Sequence, residues 1–155
     1  MSKSALLTGL ILLAAYAPSS DAALRIDDAS IGQSLNHFSY TGRWEHTRDR
    51  NDGRYESTSS RSRHSGDSVV FPFNGSVVRI YGIRGANGGK ATIAIDGRYY
   101  GRADFFAPKK QVHVLVFQSP PLRDGVHALG LVVLGDLGTS HRAYVNIDEV
   151  QVFHQ

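Results

Sequence analysis

The sequence predicts an all-β protein, an antiparallel two-sheet sandwich of about eight strands with no helix beyond an N-terminal leader. Three observations carry that prediction. Residues 66–82 read as two alternating apolar arms meeting at Asn74-Gly75, a dipeptide whose two residues accept the positive φ of a tight hairpin turn. Turn signals such as Asp96-Gly97, Pro120-Pro121 and Asp124-Gly125 punctuate the rest of the chain at short intervals. No segment after the leader shows a convincing helical period. A jelly roll suits the strand count, and a closed barrel is the alternative.

The leader occupies residues 1–22. Lys3 supplies the positive start, an apolar run follows from Ala5 to Ala15, and Ser20-Asp21-Ala22 offers small residues at a cleavage site. The run is shorter than the roughly 20 residues a spanning helix needs. The expectation is a signal peptide, a secreted or periplasmic product and a β-sandwich binding domain over residues 23–155.

Within that domain, residues 24–28 read as a short edge strand, and residues 38–44 as a second extended element. Residues 45–66 hold almost no aliphatic side chains and read as a long polar loop, either functional or simply solvated. In the next segment Val69, Phe71 and Phe73 share one face, and Val78 and Ile80 share another. Pro72 lacks an N–H and suggests an edge or a bulge. Gly85 to Gly89 forms a turn, and residues 90–95 pair with residues 98–106 through Asp96-Gly97. Residues 111–117 are apolar on both faces and read as a central strand. A long apolar strand at 126–134, a polar loop at 135–142 and a last strand at 144–153 complete the chain. In that last strand the apolar phase flips across Asp148-Glu149, which calls for a bulge or an inward-pointing acid.

Composition removes several chemistries. Without cysteine there are no disulfides, thiol nucleophiles or thiolate metal sites. The formal charge is only +3, and the arginines of residues 43–63 alternate with Glu45, Asp49, Asp52 and Glu56, so nucleic-acid binding is not expected. No segment after the leader is apolar enough for membrane insertion. The seven histidines form no i, i+2 or i, i+4 pair and no zinc motif. Gly66-Asp67-Ser68 echoes a hydrolase nucleophile motif, but Ser68 leads into a strand where such a serine precedes a helix. The glycine-rich turn at 85–89 lacks phosphate-loop spacing and precedes a strand. The expectation is a protein that is not an enzyme.

The order Tyr40-x-Gly42-x-Trp44, Gly66-x-x-Val69-x-Phe71-x-Phe73-x-Gly75, Val78-x-Ile80-x-Gly82, Ile95-Asp96-Gly97, Leu122-x-Asp124-Gly125-x-His127-x-Leu129 and Ile147-Asp148-x-Val150-x-Val152 resembles the galactose-binding-domain-like β-sandwich modules of the carbohydrate-binding-module type. The similarity covers nearly all of residues 23–155. It implies a jelly roll used for binding, commonly of carbohydrate and sometimes of protein. It also implies a structural calcium ion between early and late strands, for which Asp27, Asp28, Asp148 and Glu149 stand at suitable positions; no other cofactor is expected. The expected function is non-catalytic binding of a cell-surface or extracellular glycan. Exposed rings stack on sugar faces, so the candidate ligand-binding residues are Trp44, Arg54, Tyr55, Tyr99, Tyr100 and Phe105. The alternative is a protein-interaction or envelope-structural domain whose Arg48, Arg50, Arg61 and Arg63 meet an acidic partner.

Overall fold

The computed structural model describes residues 22–135 and 143–155. The expected leader and most of the 135–142 loop therefore lie outside the described residues. Among the described residues eleven strands form two antiparallel sheets. One has the order β3 (Glu45–Arg48), β4 (Thr58–Ser62), β11 (Val145–Phe153), β6 (Val77–Arg84), β9 (Gln111–Gln118), with β1 (Leu24–Asp27) pairing β11. The other runs β2 (Ser39–Thr41), β5 (Ser68–Gly75), β10 (Gly125–Val133), β7 (Lys90–Ile95), β8 (Arg98–Asp104). The two-sheet sandwich is as predicted, with eleven strands rather than about eight. Its core is built from alternate residues of both inner faces, among them Phe71, Phe73, Val78, Ile80, Ile93, Leu131 and Ile147.

The first segment invoked for the fold class behaves differently from its reading. Asn74-Gly75 does not close a hairpin, because β5 pairs β2 and β10 while β6 pairs β11 and β9 in the opposite sheet. Gly75 does not take a positive φ. Its glycine serves close approach: an added Cβ would stand 2.5 Å from Val152 and 2.7 Å from the Phe153 carbonyl oxygen. The chain changes sheet there, and it changes back through the 85–89 turn between β6 and β7. Asp96-Gly97, by contrast, joins β7 to β8 with φ of 53° and 76°, the two-residue turn its sequence asks for. Pro72 lies past the end of the β2 ladder, where its carbonyl accepts from the Asn36 N–H and no strand requires its missing donor.

Two further readings need correction. Residues 45–66 contain two antiparallel strands, β3 and β4, joined around a 3₁₀ turn at Tyr55–Ser57. The buried face of β4 is made of Thr58, Ser60 and Ser62, so no aliphatic period advertises it. Their hydroxyls are satisfied by Asp28 and Asp67. Among the described residues the strand β9 is an edge, not central, since it pairs only with β6. Two register shifts in that pairing rotate its apolar residues between faces, which is why it looks apolar on both. The expected irregularity at Asp148-Glu149 is present as a register shift between Ile147 and Glu149, and both acids are fully buried.

Candidate functional site

On β4 and β11, Ser60, Ser62, Val145 and Ile147 face inward, so the alternating Arg61 and Asn146 face outward. The two are cross-strand partners. They form the floor of a cleft of about 460 Å³ on the outer side of the six-stranded sheet. One wall is the 85–88 turn. Its Asn87 carbonyl accepts from the N–H groups of Ala143 and Tyr144, so it is tied to the start of β11. The other wall is built from Thr47, Arg54 and Lys110.

The cleft is cationic. Arg54 is fixed by Asp52 through Nε at 2.8 Å and Nη2 at 2.5 Å, and its Nη1 donates to Thr47 and Ser59. Lys110 shares the same Asp52 carboxylate at 2.7 Å. The Arg54 hydrogen bonds, aided by Lys110, hold the Asp52 carboxyl far below the usual carboxylate range. Arg61 pairs with Glu45 at 2.8 Å and lies over the Tyr144 ring at 4.7 Å. Arg84 donates from Nε to the Asp104 carbonyl at 2.9 Å and has no carboxylate partner among the described residues. Asn146 has a buried Oδ1 with no hydrogen-bond partner.

A second polar cluster ties the first strand to the last. The Asp28 carboxyl accepts from Thr58 at 2.7 Å and Ser60 at 2.5 Å. Burial raises its pKa to about 7. The Thr58 hydroxyl lies within 2.9 Å of both Asp27 oxygens as well, so one hydroxyl proton faces three carboxyl oxygens. A proton on Asp28 relieves that crowding. Asp148 accepts from the Tyr55 N–H and lies 2.8 Å from His113 Nδ1, and burial raises its pKa too. Glu149 is clasped by the Arg25 guanidinium. His113, at φ 55°, sits in the β9 bulge with its ring stacked on Tyr81.

The calcium ion implied by the resemblance does not fit these acids. Hydroxyl protons face both oxygens of Asp28, and a guanidinium faces Glu149. Among the described residues no group of three or more His, Cys, Asp or Glu side chains is arranged to hold a metal.

The residues singled out from sequence scatter. Arg54 lines the cleft. Tyr55 carries Arg25 over its ring at 4.2 Å. Trp44 donates its indole N–H to the Thr41 and Ser68 carbonyls and packs on Tyr40, which makes it half-buried structure. Phe105 is 0% exposed, so its ring is core and meets no ligand. Tyr99 is 61% exposed, while Tyr100 is partly buried against the core. Both tyrosines stand at the turn end of β8; Asp104, which holds Arg84, stands at the other end, roughly 15 Å away at strand rise. In the Gly66-Asp67-Ser68 motif the Asp67 carboxylate is spent on Ser62 and on the Arg43 N–H. Sequence reasoning passed over Arg84, Asn87, Lys110, Tyr144 and Asn146. The one available signal was the polar 85–89 turn wedged between two apolar strands.

No protein-family model matches the chain. Over 93 residues it is 32% identical to an A type blood N-acetyl-alpha-D-galactosamine deacetylase of Flavonifractor plautii, covering 60% of this chain and 12% of that protein. The chain thus spans about an eighth of that relative. Among solved structures it superposes on the CBM36-1 domain of a multidomain xylanase from the hindgut metagenome of Trinervitermes trinervoides. The TM-score is 0.52 at 16% identity, covering 84% of this chain and 95% of that domain. The fold is that of a carbohydrate-binding-module jelly roll. A Podospora anserina GH26-CBM35 β-(1,4)-mannanase matches at TM-score 0.55 and 14% identity, over 87% of this chain and 28% of its own. A family two carbohydrate esterase from Cellvibrio japonicus matches at 0.59 and 17%, over 86% and 34%. In both enzymes the jelly roll corresponds to a minor part of the longer chain. No described helix is long and apolar enough to cross a membrane.

Proposed function

We propose that this jelly roll is an exported, non-catalytic carbohydrate-binding domain, and that the cleft over β4 and β11 is where it meets sugar. The observation that carries the reading is the cleft itself, an open depression lined by hydrogen-bonding side chains and one tyrosine ring on a carbohydrate-binding-module fold. Arg61 and Asn87 supply donors and acceptors for hydroxyl groups, and Tyr144 supplies an aromatic face. Non-catalytic binding suits the ionisable groups present. The buried acids are engaged with Thr58, Ser60, Arg25 and His113, and Asp67 is engaged with Ser62. The deacetylase and esterase likenesses favour a module that accompanies carbohydrate chemistry rather than performs it.

The test is calorimetric and NMR titration of residues 23–155 against a panel of neutral and acidic oligosaccharides, with product analysis after long incubation. The expected result is binding of at least one glycan, chemical-shift changes at Tyr144 and Asn146, and no altered sugar. A folded protein that binds no glycan at millimolar concentration would refute the reading, and release of modified sugar would overturn its non-catalytic part.

A further inference from the structure

The cleft holds more positive charge than its own acids neutralise. Arg54 and Lys110 share the single carboxylate of Asp52, Arg61 has Glu45, and Arg84 has none among the described residues. Four cations are thus met by two carboxylates. Arg84 is also held ready. Its Nε is anchored to the Asp104 carbonyl at 2.9 Å and its Nη2 reaches the Leu115 carbonyl at 3.5 Å, so strands of both sheets fix the guanidinium. Its Nη1 has no protein acceptor among the described residues. Asn146 on the same cleft floor has an unpartnered amide oxygen, but that atom is buried and out of a ligand's reach. A neutral sugar leaves the Arg84 charge unanswered. An anion on the sugar answers it, because guanidinium forks match planar or tetrahedral oxyanions with two hydrogen bonds.

We infer that the ligand of this cleft is an acidic saccharide, one whose carboxylate or sulfate group is held by Arg84. Lys110 and Arg61 shape the positive field around that anion. The inference rests on the carbohydrate-binding reading above and narrows it to a charged class.

The experiment compares three oligosaccharide sets of similar length: uronate-containing, sulfated, and neutral sugars of matching backbone. Each is titrated into wild-type protein, Arg84→Gln and, as a remote control, Arg98→Gln, with thermal melts verifying that each variant folds. Wild type is expected to prefer one acidic set over its neutral match, which also tells carboxylate from sulfate. Arg84→Gln is expected to weaken that acidic ligand roughly ten- to a hundredfold, the worth of one charged hydrogen bond, and to weaken neutral ligands by far less. Raising salt should reduce the acidic preference. Equal affinity for neutral and acidic sugars would overturn the inference and leave carbohydrate binding standing. An equal loss in Arg84→Gln and Arg98→Gln would also overturn it, showing general attraction to polyanions. No binding of any set by folded protein would remove both.

Discussion

Phe105 and Tyr99 lie six residues apart on the same hairpin and obey opposite rules. Phe105 is fully buried, while Tyr99 stands in solvent. Replacing Phe105 by alanine should cost about 3–5 kcal/mol in urea denaturation, the transfer and cavity cost of a buried phenyl ring. Tyr99→Ala should shift the same midpoint by less than about 0.5 kcal/mol. Adjacent side chains of a strand point to opposite faces, so Tyr99-Tyr100 and Phe105-Phe106 each send one ring outward, but alternation alone does not say which one. That choice depends on which residue faces the opposite sheet, and strand pairing settles it. The same limit hid the cleft. Arg84, Tyr144 and Asn146 are ordinary residues in sequence, made neighbours by β6 and β11 lying side by side.

At the scale of elements, turns whose geometry is local were legible and crossings between sheets were not. Asp96-Gly97 closes β7 onto β8 because both residues carry the required φ. Asn74-Gly75 looks alike but serves a sheet change, since the competing demand there was room beside Val152. The ribbon β3–β4 escaped because its inward face is hydroxyl, and hydroxyls pack inward only where acids wait for them. The turn at 85–88 makes the sharpest element-level prediction. A Cβ on Gly88 would lie 1.6 Å from the Phe105 carbonyl oxygen, a backbone atom that cannot step aside. Gly88→Ala should therefore lower the melting temperature by several degrees or more, and displace cleft resonances such as those of Asn87 and Tyr144. A second prediction concerns the tie between β10 and the β7–β8 turn. His127 Nδ1 lies 2.6 Å from Asp96 and its Nε2 lies 2.7 Å from the Arg123 carbonyl, so both nitrogens act as donors in the imidazolium form. The Asp96 hydrogen bond raises the His127 pKa above 6.5. The stabilisation is thus full below pH 6.5 and is lost as pH rises through the higher folded value. Denaturation from pH 6 to 9 should show that loss in wild type and not in His127→Ala.

For the whole molecule, the polar cluster beneath β1, β4 and β11 sets the pH response. Burial raises the Asp28 pKa from 3.8 to about 7, so folding favours the protonated acid. Its contribution is full below the unfolded value and declines as pH rises from about 4 to about 7, with a slope of up to about 1.4 kcal/mol per pH unit. Asp28→Asn should flatten that decline in urea midpoints measured across the window while keeping the hydrogen bonds with Thr58 and Ser60. An unchanged slope would show that Asp28 is ionised throughout. The sandwich class, the core faces of β5 and β6 and the irregularity of β11 could all be read from the sequence, because alternation and phase report burial directly. Sheet order could not, since it depends on pairings between segments far apart in the chain.

The position of β11 has a consequence for how the molecule comes into being. It lies next to β1, β4 and β6, so the six-stranded sheet has no middle until this strand arrives. A growing chain that has made everything up to residue 144 possesses all five strands of one sheet and the separated edges of another. Assembly of that sheet must therefore wait for residues 145–153, and β1 remains without its neighbour until they have emerged. Few short-range pairings are available to bridge that wait, which makes folding slow and late.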